Sequence, residues 1–184
     1  MLRAFGWQIR YAGLPGPRGV MVAYPHTSNW DTCIGIAAVW IINEPVRWVG
    51  KASLFTGVLG AILGPMLRAF GGRPVYRERS TGMVAQLGQM MQAEERCWLA
   101  LTPEGTRGRR EAWRSGFYHL ARSIDVPVTV AYIDYSRKEI GVAGNMRLSG
   151  DLQADMRHIA ALLEGRRGRY PENETPIRLR DTAD

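Results

Sequence analysis

Val20-Met21-Val22-Ala23-Tyr24-Pro25-His26-Thr27-Ser28-Asn29-Trp30-Asp31 passes from an apolar run, through a proline, into a short polar stretch. The apolar run reads as a buried strand. The polar stretch reads as a turn that opens a helix at Ser28 or Asn29, because Ser and Asn are strong helix N-caps. A strand, a turn carrying a histidine and then a helix make one half of a βαβ unit. The rest of the chain repeats that alternation.

Outward from this stretch, Trp30–Ile42 reads as a helix and Val46–Gly50 as a strand. Leu54–Phe70 is helical in pattern, with an interruption expected near Gly64-Pro65. It is apolar almost all round, which fits either a buried core helix or a surface facing a membrane or an acyl chain. Pro74–Tyr76 is a short extended piece. Ser80 is placed to cap a helix through about Glu95, where Met83, Val84, Leu87, Met90 and Met91 keep the helical period. Cys97–Leu101 is a strand and Ser115–Ile124 a helix. Val128–Tyr135 and Glu139–Ala143 read as paired strands, and Asp151–Leu163 as a helix. From about Arg166 the tail is polar and reads as loosely structured. Strands alternating with helices imply an α/β fold. With no repeat and no linker, residues 1–184 are expected to form a single layered domain, a mixed central sheet flanked by helices.

The chain has 184 residues, 46% hydrophobic and 22% charged, with 24 Lys+Arg against 17 Asp+Glu for a net charge of +7. Nearly all the positive charge is arginine; Lys51 and Lys138 are the lysines. Arginine's planar fork matches phosphate and carboxylate. The excess fits a solvated basic surface, a phosphate-bearing substrate or an anionic membrane surface. Nucleic acid is not expected as a partner: there is no zinc-finger spacing, no RNA-binding aromatic signature and no long basic run. Cys33 and Cys97 lie in apolar stretches and read as buried free thiols, which favours a reducing compartment. No secretory signal is apparent, and no apolar window is long enough to span a bilayer.

Three segments carry candidate chemistry. His26 and Asp31 come first: if the carboxylate accepts the proton of one ring nitrogen, the other nitrogen is free to act as a base. The alternative is a capped turn with an exposed histidine. Second, Pro103-Glu104-Gly105-Thr106-Arg107 follows the strand Cys97–Leu101, at the kind of strand end where α/β proteins bind ligands. Arg107 can grip an anion there, or pair with Glu104 in a charged turn. Third, Gly71-Gly72-Arg73-Pro74-Val75-Tyr76-Arg77 is a stiff cationic loop that can take phosphate or simply meet solvent. His119 and His158 sit on helices among ordinary neighbours. No second histidine or cysteine has metal-ligand spacing, so no metal is expected. The G-x-S-x-G elbow of serine hydrolases is also missing.

In order along the chain stand His26-x-x-x-x-Asp31, Gly72-Arg73-Pro74-Val75-Tyr76-Arg77, Pro103-Glu104-Gly105-Thr106-Arg107 and Val126-Pro127-Val128. This set resembles the PlsC-like glycerolipid acyltransferase family, which includes 1-acylglycerol-3-phosphate acyltransferases. The stretch Trp113-Arg114-Ser115-Gly116-Phe117-Tyr118-His119-Leu120-Ala121 resembles a short bacterial branch of it. The resemblance implies a glycerol-3-phosphate acyltransferase-like fold and O-acyl transfer. His26 would deprotonate the acceptor hydroxyl while Asp31 orients it, and the hydroxyl would attack an acyl thioester with no covalent enzyme intermediate. Backbone N–H groups near Ser28–Trp30 are candidate oxyanion donors.

By the same resemblance, Arg77 and Arg73 of the second block, with Glu104, Gly105, Thr106 and Arg107 of the third, bind a phosphorylated acceptor. The Val126-Pro127-Val128 block helps form the acyl-donor region. No cofactor is implied; the donor is acyl-CoA or acyl-carrier protein, and the acceptor a lysophospholipid-like molecule such as 1-acylglycerol-3-phosphate. The expected location is cytoplasmic, peripheral at the inner face of the membrane on an anionic surface. Arg73 and Tyr76 are unusual choices within the second block, and Thr129 stands where the family often has a proline. Two other readings remain: an acyltransferase for a different lyso-lipid acceptor, and a non-catalytic membrane- or lipid-binding module.

Overall fold

The computed structural model describes residues 2–75 and 82–179. Its strands are β1 (Gln8–Arg10), β2 (Arg18–Tyr24), β3 (Val46–Lys51), β4 (Gly72–Val75), β5 (Cys97–Leu101), β6 (Val128–Asp134) and β7 (Glu139–Met146). Its helices are α1 (Asn29–Ile42), α2 (Gly57–Ala69), α3 (Met83–Ala93), α4 (Gly116–Ser123) and α5 (Leu152–Leu162). The strands form one sheet in the order β1-β7-β6-β2-β5-β3-β4. The run from β6 through β4 is parallel, β7 is antiparallel to β6, and β1 is parallel to β7. This is the mixed sheet of an α/β fold.

The parallel connections place the helices. From β2 the chain moves past β5 to β3 and then on to β4. The return steps, β4 to β5 and β5 to β6, run the other way. Right-handed crossovers therefore put α1 and α2 on one face, and α3 and α4 on the other. Side chains agree. On β3, Val46 packs with Trp98 and with Val39 of α1, and Trp48, two residues on and so on the same face, donates its indole N–H to the Phe70 carbonyl at the end of α2. On the opposite face, Cys97, Leu99, Val20 and Val22 pack with Leu87 and Met91 of α3, Phe117 and Leu120 of α4, and Met156 and Ile159 of α5.

That second face holds the main core. The first face is thinner: α1 buries only Asp31 and Ala38 along its length.

Several expectations are corrected. β1 is a strand that no sequence pattern marks. It is only Gln8, Ile9 and Arg10, two exposed polar residues around one partly buried isoleucine, and exists because it pairs with β7. α2 is continuous, with Pro65 inside it. Pro65 lies on the exposed side of the helix, so its ring displaces nothing packed and the missing hydrogen bond is a local cost. Cys97 is a buried free thiol, but Cys33 is exposed on α1, because that helix turns much of its apolar surface outward. β7 continues three residues beyond Ala143, to Met146. Tyr76, Arg77 and the Ser80 cap lie outside the described residues.

The largest correction concerns the tail. It packs across the strand ends. Thr175 is fully buried, Leu179 bridges to Trp113, and Pro171–Asn173 forms a 3-10 turn. The Tyr135 N–H donates to the Arg167 carbonyl at 2.9 Å and the Trp113 N–H to the Arg178 carbonyl at 2.7 Å. A polar strap held by backbone hydrogen bonds has no apolar periodicity for a sequence pattern to find.

Candidate active site

β2 and β5 are neighbours, and the chain leaves their carboxyl ends toward opposite faces, into α1 and toward α4. That is a topological switch point, where open α/β sheets form a crevice. The loop after β2 carries His26 and Asp31. The loop after β5 carries Glu104 to Arg107.

Ser28 caps α1: its Oγ accepts the Trp30 N–H at 3.2 Å, and the Asp31 carboxylate reaches back to the Ser28 N–H. This capping box fixes Asp31 beneath the loop. Asp31 Oδ2 accepts the backbone N–H groups of Thr27 and Ser28, each at 2.8 Å. The same oxygen lies 3.2 Å from His26 Nδ1. Asp31 Oδ1 accepts the Tyr135 hydroxyl at 2.6 Å. Burial alone would raise the Asp31 carboxyl. Hydrogen bonds from His26, Tyr135 and Ser28 outweigh it and hold the group below the usual carboxylate range. Asp31 is therefore a fixed anion beside Nδ1. With Nδ1 as the donor to it, Nε2 carries the lone pair. Nε2 has no hydrogen-bonding partner among the described residues.

Glu104 is 1% exposed. Its Oε2 accepts the His26 N–H at 2.5 Å, and its Oε1 accepts the Thr175 N–H at 3.1 Å. It joins the histidine loop to the strap. Burial pushes its carboxyl up to about 7, against the lowering effect of those two backbone donors. Gly105 turns the chain at φ +67°, where a Cβ would lie 2.8 Å from Arg114 Nε. Both facts favour glycine there. Thr106 Oγ1 accepts the Gly108 N–H at 3.4 Å. Arg107 is exposed and has no ion-pair partner among the described residues, so the Glu104–Arg107 pair that the turn permits does not form.

The structure thus brings His26, Asp31 and Glu104 into one hydrogen-bonded unit, with Gly105, Thr106 and Arg107 on the adjoining turn. It does not bring Arg73 there. Arg73 bonds to Glu94 at 3.2 Å, and Glu94 also holds Arg47 at 2.7 Å. Glu94 precedes β5, so this cluster gathers toward the end of the sheet where β5 begins, away from the loops that follow β2 and β5. Arg77 lies outside the described residues.

Most N–H groups of the loop are already used. Those of His26, Thr27, Ser28, Trp30 and Asp31 all have acceptors. Asn29, at the first position of α1, has no intrahelical acceptor, and its N–H is without a partner among the described residues.

Tyr135 and Thr175 are site residues that sequence reading missed. Tyr135 follows β6, and its ring packs perpendicular to that of Trp7, with centroids 5.1 Å apart. Tyr135→Phe keeps that packing and deletes one donor to a buried anion, a loss of about 1.5–3 kcal/mol at neutral pH. Asp31 is depressed in the folded chain, so its contribution is present above the ordinary carboxylate range and lost as pH falls through its folded value. Urea unfolding of wild type and Tyr135→Phe should therefore differ most near neutrality and converge in acid.

The strap also meets the loop directly. The Tyr170 N–H donates to Thr27 Oγ1 at 3.2 Å, and a Cβ on Gly168 would lie 2.7 Å from the same oxygen. Arg169 places its guanidinium 5.9 Å from the Trp30 ring.

A family model described as Acyltransferase matches residues 9–134, from β1 to the end of β6, including both loops of the crevice. A search of curated proteins gives no match. The family match covers more than half of the chain and contains the histidine–carboxylate pair described above; the chain belongs to the acyltransferase family.

Proposed function

We propose that this acyltransferase moves a fatty acyl group from a thioester donor, acyl-CoA or acyl-carrier protein, to a hydroxyl of a lysophospholipid-like acceptor such as 1-acylglycerol-3-phosphate. The observation that carries the reading is His26 Nδ1 at 3.2 Å from a carboxylate that is itself held by three further donors. Such a histidine is pinned in the tautomer that leaves Nε2 basic.

In this reading His26 Nε2 takes the acceptor's hydroxyl proton as its oxygen attacks the thioester carbonyl carbon. The C–O bond forms, the carbonyl oxygen becomes an oxyanion, and the Asn29 N–H at the head of α1 donates to it. Collapse breaks the C–S bond, and the thiolate leaves with the proton held by His26. No group on the enzyme is acylated. Thioesters are activated, so position and a base suffice. Arg107, exposed and unpaired among the described residues, is the cation for the acceptor's phosphate, with Gly105 and Thr106 shaping its turn, and Arg77 is assigned to the same phosphate. Glu104 acts as a positioning residue through the His26 N–H. The enzyme works in phospholipid biosynthesis at the inner membrane surface.

The test is mass spectrometry of lipids after incubation with acyl-CoA or acyl-carrier protein and a pool of lyso-acceptors. A product one acyl group heavier than a phosphate-bearing lyso-acceptor supports the reading. Acylation of neutral lyso-lipids alone replaces the acceptor, and release of free fatty acid alone refutes transfer.

A further inference from the structure

α2 is packed inside out. Two glycines, Gly60 and Gly64, face the protein, while Val58, Ile62 and Met66 face solvent. Gly60 and Gly64 are buried, and a Cβ on Gly60 would lie 2.4 Å from the Phe55 backbone. On the other side Val58 is 86% exposed, Ile62 71% and Met66 49%. α1 behaves alike: Trp30, Trp40 and Ile41 are exposed, Trp40 at 65%. Both helices lie on the same face of the sheet, and Trp40 stacks on Phe70 at the end of α2, with ring centroids 4.9 Å apart. The exposed side chains therefore make one apolar surface across two helices. Scattered apolar residues on a surface need no explanation; a continuous patch does.

Charge identifies the occupant. Between Thr32 and Val75 the sole acidic residue is Glu44, which is held by Tyr11 and Arg96. Exposed Lys51 and Arg68 lie within the same stretch, and Arg169 stands by Trp30 at the site end. An apolar face rimmed by cations, with tryptophans on it, matches a bilayer surface containing anionic lipid. A second copy of the chain would bring like charges together. Among the described residues no helix is long and apolar enough to cross a membrane, so the face lies on the bilayer.

We infer that the α1–α2 face, through Trp30, Trp40, Ile41, Val58, Ile62 and Met66, docks the protein on an anionic membrane. Trp30 is one turn beyond the His26 loop, so docking sets the mouth of the crevice at headgroup level, where a lyso-lipid presents its hydroxyl. That last step rests on the acyl-transfer reading; the docking does not.

The test is sedimentation of the full chain with vesicles of phosphatidylcholine plus phosphatidylglycerol, against phosphatidylcholine alone, beside analytical ultracentrifugation without lipid. Wild type should pellet with the mixed vesicles, less so as salt rises. Val58→Asp/Ile62→Asp should bind them about a hundredfold more weakly, from losing the burial of two branched side chains. Both positions are exposed, so an unchanged thermal melt is expected, and Ile62→Ser serves as the milder variant. The double variant should still acylate a short-chain, monomeric lyso-acceptor. Undiminished vesicle binding by the folded variants overturns the proposal. So does a wild-type dimer that the substitutions dissociate in the absence of vesicle binding, which would make the face a self-interface. If wild type binds vesicles yet transfers nothing, the docking stands and the enzymatic reading falls.

Discussion

Glu104→Ala should lower the melting temperature by about 5–15 °C, the equivalent of roughly 2–5 kcal/mol in a chain of this size. The side chain is buried, and both its oxygens accept backbone N–H groups, from His26 and Thr175. Truncation leaves those two donors unpaired in a closed space, which costs far more than the hydrogen bonds gain when made. It also unfastens the strap, so cleavage within residues 166–179 by a protease should speed up. Glu104→Gln distinguishes shape from chemistry. A carboxamide keeps the volume but turns an NH2 group toward one of the two donors, so it too should destabilise, though less.

The same residue sets a pH signature. Its folded carboxyl is raised to about 7 from an ordinary 4.5. Between those values the folded chain holds a proton that the unfolded chain has lost. Stability therefore falls as pH rises across that window, by up to about 1.4 kcal/mol per pH unit, and levels off above it. Glu104→Gln should flatten that slope in denaturant titrations at pH 5, 6 and 7.

His26→Ala should reduce acyl transfer by about 100- to 10,000-fold, the usual contribution of a general base, while the fold persists. The imidazole belongs to none of the hydrophobic core clusters, and the Asp31 carboxylate keeps its donors from Thr27, Ser28 and Tyr135 when the ring is removed. Asp31→Asn should lose activity as well, because an amide can present its NH2 to Nδ1 and favour the wrong tautomer. The two residues act as one unit, so the double variant should be no slower than His26→Ala alone. Additive losses would mean that Asp31 contributes by a route other than through His26.

The legible parts of this molecule are those written locally. β2 and β5 are apolar runs that end in turns, so His26, Asp31 and Glu104 could be placed at strand ends from their neighbours alone. The capping role of Ser28 follows from its position before α1. What escaped was carried by long-range hydrogen bonds. Tyr135 reaches Asp31 across 104 positions and Thr175 reaches Glu104 across 71, and nothing in either segment's composition marks it. The strap reads as a polar tail because its order comes from single N–H and C=O groups. The helix pattern of α2 was visible, but which side faced inward was not; the glycines decide it by admitting the Phe55 backbone. Arg73 follows a phosphate-site logic in sequence, yet Glu94, distant in the chain, claims its guanidinium.

The central claim is that His26 activates an acceptor hydroxyl for direct attack on a thioester. The most direct test is the acceptor-dependent rate of coenzyme A release from acyl-CoA by purified wild type and His26→Ala, with circular dichroism confirming equal folding. Release that requires the lyso-acceptor in wild type and falls at least about 100-fold in the variant is the expected result. A folded His26→Ala protein that releases coenzyme A at close to the wild-type rate would contradict it.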